Sequence, residues 1–205
     1  DLNGVASPPE TDRRERSLVE RWAELDPAGA ANYASQAVLQ GATDSLLRAA
    51  LQSWALTDPK SASDWAVQLN SQELKENSLR QIYQTWSKND PVRAAQNIMA
   101  LPAGSARETA VAAVAGNYAK ASLPQALSWA TGLTGNMRER AVQGVLDQWT
   151  KNDPPGAAKW LIQQPPQIQW AAIQKVAQDW TRRDPAAALA YGTSWAAIHS
   201  GSALA

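Results

Sequence analysis

Cysteine is absent from this chain, and with it go disulfides, thiolate nucleophiles and Cys-based zinc or iron–sulfur sites. The single histidine, His199, has no second imidazole to complete a metal pair or a catalytic triad. Charge of one sign is absent too: 19 Lys and Arg face 19 Asp and Glu, for a net charge of zero. A protein that lives on phosphate contacts usually carries a basic excess, so no nucleic-acid partner is expected. No apolar run approaches ~18 residues, so no membrane insertion is expected. A Gly-rich phosphate loop is also missing, and carboxylates spaced i, i+4, such as Glu20 and Glu24, are routine on surface helices. The expectation is a non-enzyme with no catalytic, cofactor or metal residues.

What is present is an apolar, tryptophan-rich chain of 205 residues, 44% hydrophobic, with ten Trp, four Tyr and no Phe. That length suits one large domain or a short array. An internal period settles the choice. Aromatic residues recur at Trp22, Trp54, Trp86, Tyr118, Trp149 and Trp180, spaced 32, 32, 32, 31 and 31 apart. Four positions after each come Asp26, Asp58, Asp90, Ser122, Asp153 and Asp184, followed by Pro in all copies but the fourth, where Leu123 precedes Pro124. Four further on stands alanine every time: Ala30, Ala62, Ala94, Ala126, Ala157 and Ala188. A second aromatic site follows at Tyr33, Trp65, Trp129, Trp160 and Tyr191, with Asn97 in the third copy.

Each copy reads as two helices. Asp-Pro is a helix start: the carboxylate accepts from free first-turn amides, and Pro at the first helical position sacrifices none. Upstream, apolar residues at −7, −4 and −3 from the first aromatic, such as Leu79, Ile82 and Tyr83, have helical spacing. Ser105 with Glu108, and Asn136 with Glu139, fit capping boxes for two of the first helices. The reading is all-α: about six antiparallel hairpins in one domain over residues 10–198, with a flexible lead-in at 1–9 and a tail at 199–205. Eight of the ten Trp occupy the two repeated sites and are expected as core wedges between hairpins. Copy four, residues about 105–133, is expected to be the weakest: Asn97 removes an aromatic wedge from the joint before it, its first helix Val111-Ala-Ala-Val-Ala-Gly-Asn-Tyr118 has small residues and Gly116, and Ser122-Leu-Pro124 replaces the Asp-Pro start.

Asp58-Pro-Lys-Ser-Ala62-Ser-Asp-Trp65 and Asp153-Pro-Pro-Gly-Ala157-Ala-Lys-Trp160 resemble the second helix of the tetratricopeptide and Sel1-like class of bacterial helical repeats. The copies are shorter than that class's and lack its Leu-Gly in the first helix. The resemblance implies an α-solenoid, a TPR-like right-handed superhelix, whose usual work is holding proteins or peptides and whose first helices line the concave face.

A polar stripe on the first helix bears on that expectation. Positions −6 and −2 share a face and carry Arg16, Arg48, Gln52, Arg80, Gln84, Gln143, Gln174 and Gln178, the candidate peptide groove. Arg suits carboxylates and carbonyls; Gln suits peptide amides. An ordinary solvated helix face is the competing reading. Lys88, Lys120, Lys151 and Arg182 fall where cations meet the negative end of the first helix, or form a basic edge for an acidic partner. The expected function is a protein- or peptide-binding scaffold; the alternative is a structural spacer or oligomerisation module of a larger exported protein. The start at Asp1 rather than Met reads as a processed or excised chain, and zero Cys leans towards a bacterial periplasmic or exported setting.

Overall fold

A computed structural model describes residues 8–200. Among the described residues there are twelve α-helices, one 3-10 turn and no strand. In chain order these are α1 (Pro8–Leu25), α2 (Pro27–Leu39), α3 (Ser45–Thr57), α4 (Pro59–Val67), α5 (Gln72–Asn89), α6 (Pro91–Asn97), the 3-10 turn Ile98–Ala100, α7 (Ser105–Ala121), α8 (Leu123–Gly132), α9 (Gly135–Trp149), α10 (Pro154–Leu161), α11 (Pro166–Arg183) and α12 (Pro185–Ser200). Residues 1–7 and 201–205, most of the expected lead-in and tail, lie outside the described residues, as do the side chains of Trp170, Tyr191, Trp195 and His199. Pro8 and Pro9 are helical rather than part of a lead-in, since Pro is tolerated in a first turn that needs no amide.

The Asp-Pro joints follow from local hydrogen bonding. The amide of Asp58 donates to Trp54 O at 2.8 Å, the last bond of α3, and Asp58 O accepts from Ala62 N at 3.2 Å, the first bond of α4. One residue thus closes one helix and opens the next, with φ −141° and ψ 78°. Asp26, Asp90, Asp153 and Asp184 repeat both bonds, which is why aromatic, acid and alanine recur four apart. Each Asp Oδ1 also accepts from the amide three residues on, at 2.9–3.0 Å. Ser122 keeps the backbone bonds but makes no side-chain cap.

The first helices start differently from the capping-box expectation. α7 begins at Ser105 itself, because Gly104 O accepts the amide of Glu108. Gly104 has φ +132°, a conformation that favours glycine, and this moves the helix start one residue upstream. Ser105 Oγ donates instead to Glu76 Oε1 at 2.6 Å. Asn136 lies inside α9, whose N-cap is Thr134 with no side-chain cap bond. A cap the sequence did not flag, Ser71, accepts from Leu74 N at 3.3 Å.

The chain divides into two compact units, residues 1–114 and 115–205, and the division falls inside α7. In the first unit α3 packs on α1, α2, α4 and α5, and α5 also packs on α4 and α6. Leu47, Leu51, Leu79, Ile82 and Tyr83 fill its core. In the second, α9 packs on α8, α10 and α11, and α11 also on α10 and α12, around Val142, Val145, Leu146 and Leu161. In both, an even-numbered helix leans on the odd-numbered helix that follows it: α2 on α3 and α4 on α5 in the first unit, α8 on α9 and α10 on α11 in the second. Ala30, Ala62, Ala126 and Ala157, on these four helices, are fully buried, and so is Ala94 on α6. A larger side chain at a close-packed site would overpack by ~1–3 kcal/mol.

The aromatic residues divide between roles. Trp54, Trp86, Tyr118 and Trp180 are buried, but Trp65, Trp129, Trp149 and Trp160 are half-buried. The two repeated sites meet within one hairpin: Trp54 lies 5.9 Å from Trp65, Tyr118 5.7 Å from Trp129 and Trp149 6.2 Å from Trp160, all tilted. The Trp set is therefore not uniformly a wedge between hairpins. Its second members brace the joint from a half-exposed position.

Candidate functional site

The eight groove residues are all exposed. Arg16, Arg48 and Arg80 stand on α1, α3 and α5, which pack in succession, and Gln143 and Gln174 on α9 and α11, which also pack. The guanidiniums are engaged within their own helices. Arg16 Nε pairs with Glu20 Oε1 at 3.0 Å, Arg48 Nη2 with Asp44 Oδ1 at 2.5 Å, and Arg80 Nη1 donates to Asn77 Oδ1 at 3.0 Å. Such exposed pairs contribute little to stability and exchange readily for a ligand. Gln52 and Gln84 are exposed on α3 and α5, and Gln178 on α11 offers its carbonyl to Arg182 Nε at 3.4 Å.

Arg48 also borders a cavity. A hollow of about 520 Å³ opens between the end of α2, the start of α3 and the start of α5. Leu47, Leu51 and Leu74 form its apolar part; Arg48, Asn77 and Gln81 are polar groups around it. Ser78 also lines it, fully buried and with no hydrogen-bond partner for Oγ. Four other copies have Leu46, Ala110, Ala141 and Ala172 at this position, all buried, and the first has the exposed Arg14. That break in an apolar register is a sequence signal of the cavity, and the stripe reading missed it.

The second unit holds a charged cluster the sequence reading also missed. Lys175 Nζ bonds Asp179 Oδ2 at 2.6 Å and stands 3.8 Å from Asp147 Oδ1, and Arg182 Nη2 pairs with Asp179 Oδ1 at 2.5 Å. Arg183 donates to the Lys151 carbonyl. The hydrogen bond from Lys175 holds the Asp179 carboxyl below its ordinary range against its desolvation. Burial pushes Asp147 the other way, only partly offset by Lys175, and its Oδ1 has no hydrogen-bond partner. Asp147 occupies position −2 of the stripe and Lys175 position −5 of the next first helix. Gly116 and Gly144 meet at the same two positions, where a Cβ on Gly116 would lie 3.6 Å from Gly144 O. In this unit, position −2 therefore borders the seam between successive first helices instead of projecting clear of it.

Lys88, Lys120 and Arg182 lie in or beside the last turn of α5, α7 and α11, at the negative helix ends. Among the described residues no group of acidic and imidazole side chains could hold a metal ion, and no helix is long and apolar enough to cross a membrane. Comparison with protein-family models, with curated proteins and with solved structures returns no match to this chain.

Proposed function

We propose that this protein is a non-enzymatic scaffold that holds an extended peptide or protein segment along its odd-numbered helices, which stack as a TPR-like superhelix. The observation that carries the reading is the pairing of an exposed Arg/Gln stripe with a cavity beside it in the first unit. Arg48 sits on both. A peptide laid across α3 and α5 could exchange the weak Arg48–Asp44 and Arg80–Asn77 contacts for its own carbonyls or carboxylates, and place an aliphatic side chain over Leu47, Leu51 and Leu74. Gln52 and Gln84 offer both a donor and an acceptor to peptide amides. Gln143, Gln174 and Gln178 extend the same chemistry on the second unit.

A peptide-array screen followed by titration of the best binders tests this. The double variant Arg48→Glu/Arg80→Glu should keep its helicity and lose no more than ~0.5 kcal/mol of stability, the scale of exposed substitutions. Its affinity should fall at least tenfold, ~1.4 kcal/mol. Unchanged affinity would move the binding surface off this face.

A further inference from the structure

α3 starts more than a turn later than the other odd-numbered helices. It begins nine residues ahead of its joint aromatic, Ser45 to Trp54, whereas α5 and α11 begin fourteen ahead of Trp86 and Trp180. The turn that α3 lacks belongs to α2, which runs for 13 residues where α4 has 9 and α10 has 8. Gly41 fixes this boundary. Its amide donates to Val38 O at 3.0 Å, the amide of Ala42 donates to Ala37 O at 2.9 Å, and its φ is +94°. That pair of bonds closes a helix on a left-handed glycine, so the chain turns away before α3 can start.

The next pair of odd-numbered helices shows what such a turn does. Gln72, in the first turn of α5, donates to Ser105 Oγ at 3.0 Å, and Ser105 Oγ donates to Glu76 Oε1 at 2.6 Å, which closes α5 on the start of α7. The start of α5 has no matching turn of α3 beside it, and the hollow of about 520 Å³ lies there. Leu74, at position −12 of α5, is buried, as is Ile168 of α11; the counterpart in copy two is Ala42, exposed in the turn. A large apolar side chain is therefore missing from this joint, and Leu47, Leu51 and Leu74 line the space it leaves. The lining is not wholly apolar. Ser78, 1% exposed, keeps an unpaired Oγ there, and the half-buried Gln81 borders the same hollow.

We infer that this hollow is the specificity pocket of the groove and takes one uncharged carboxamide side chain, that of glutamine, from the bound peptide. The inference rests on the peptide-groove reading above. A two-methylene stem over the three leucines restores apolar contact that the missing turn would have made. The carboxamide offers what the buried end of the hollow lacks: its oxygen accepts from Ser78 Oγ, and its nitrogen donates to the side-chain carbonyl of Gln81. A hydrocarbon side chain would leave Ser78 unpaired. A carboxylate would face Asp44 and Glu73 at the mouth and meet no cation beside Ser78. An ammonium there would give up its water for a single hydroxyl. Arg48 and Asn77, exposed at the rim, are left for the peptide backbone.

A positional-scanning library of end-blocked hexapeptides, with each position fixed in turn as every amino acid, tests this on the 205-residue chain. At one position glutamine should bind about three- to tenfold tighter than methionine or glutamate of the same length, the scale of one hydrogen bond. Ser78→Ala installs the residue that stands at Ala110, Ala141 and Ala172 in later copies. It should keep wild-type circular dichroism and melt no lower, yet lose the preference for glutamine over methionine. Ser78→Leu, matching Leu46 of copy two, should fill the hollow and abolish selectivity at that position. A wild type that ranks methionine, glutamate or lysine level with glutamine overturns the inference, as does a Ser78→Ala variant that keeps the preference. In either case, binding that still falls in Arg48→Glu/Arg80→Glu leaves the groove reading standing. A library from which no peptide binds overturns both.

Discussion

In α3 and α4, the joint aromatic Trp54 tilts against Trp65, and Leu51 fills the core beside it. In α5 and α6, Trp86 stacks on Tyr83 at 5.5 Å and 29°, and Asn97 stands where Trp65 stands in the preceding copy. The aromatic partner has moved from the second helix to the first, from position +11 to position −3. The polar group it brings is paired: Tyr83 Oη donates to Asn97 Oδ1 at 2.7 Å and lies 3.3 Å from Ser63 Oγ on α4. Asn97 therefore does not leave a missing wedge. Second and third hairpins fill the same joint, one with two indoles, of which Trp65 Nε1 donates to Asn32 Oδ1 at 2.8 Å, and the other with a buried hydroxyl network that also ties α4 to α5. Buried polar groups are costly only when a partner is lost.

The largest effect should come from the aromatic shared by both joints. Trp54→Ala and Trp86→Ala should each destabilise by ~3–5 kcal/mol in urea melts, the scale for removing a buried large aromatic. Trp65→Ala should cost clearly less because its ring is half-exposed. Equal losses at Trp54 and Trp65 would erase the distinction between buried and bracing members.

Next comes the hydroxyl. Tyr83→Phe keeps the ring and strands Asn97 Oδ1, so it should cost ~1–3 kcal/mol. Leu51→Met at the matching position, which conserves volume, should cost under ~1.5 kcal/mol. Burial pushes the Tyr83 phenol up to about 12 from an ordinary 10.0. The unfolded chain releases that proton first, so the stability Tyr83 contributes is intact below pH 10 and is lost as pH rises towards 12. Alkaline melts of wild type should fall more steeply over that range than those of Tyr83→Phe. Parallel curves would mean the phenol is not held from solvent.

A third comparison sets an acid cap against its serine counterpart. Asp58→Ala removes a carboxylate whose pKa the Ser61 hydroxyl and amide hold down, and should cost ~1 kcal/mol. Ser122→Ala removes no cap bond and should cost only a few tenths. Paired thermal melts of the two variants decide it.

The smallest predicted change is a gain. A Cβ on Gly116 would make only ordinary contact, so Gly116→Ala should stabilise α7 by ~0.5–1 kcal/mol. Hydrogen exchange at 106–119 should slow accordingly. A loss instead would show that α7 depends on the close approach a glycine allows.

The helices and their joints were legible in the sequence because they rest on bonds four residues apart. Aromatic carbonyl to Asp amide, Asp carbonyl to Ala amide, and Asp carboxylate to the third amide are all local, so their residues repeat in step along the chain. Exposure of the polar stripe was legible for the same reason, since helical period puts Arg48 and Gln52 one position past Leu47 and Leu51, beside the apolar stripe. The partners across helices were not. Tyr83 reaches Ser63 and Asn97 from 20 and 14 positions away, and Ser105 reaches Glu76 across 29. Nothing in one copy's period announces that its missing aromatic is replaced from another helix, or that a first helix will start on glycine and free its serine. Tertiary structure decided those, together with the cavity at Arg48 and the seam at Asp147. Each depends on which face of one helix meets the next, and the period of a single helix does not carry that information.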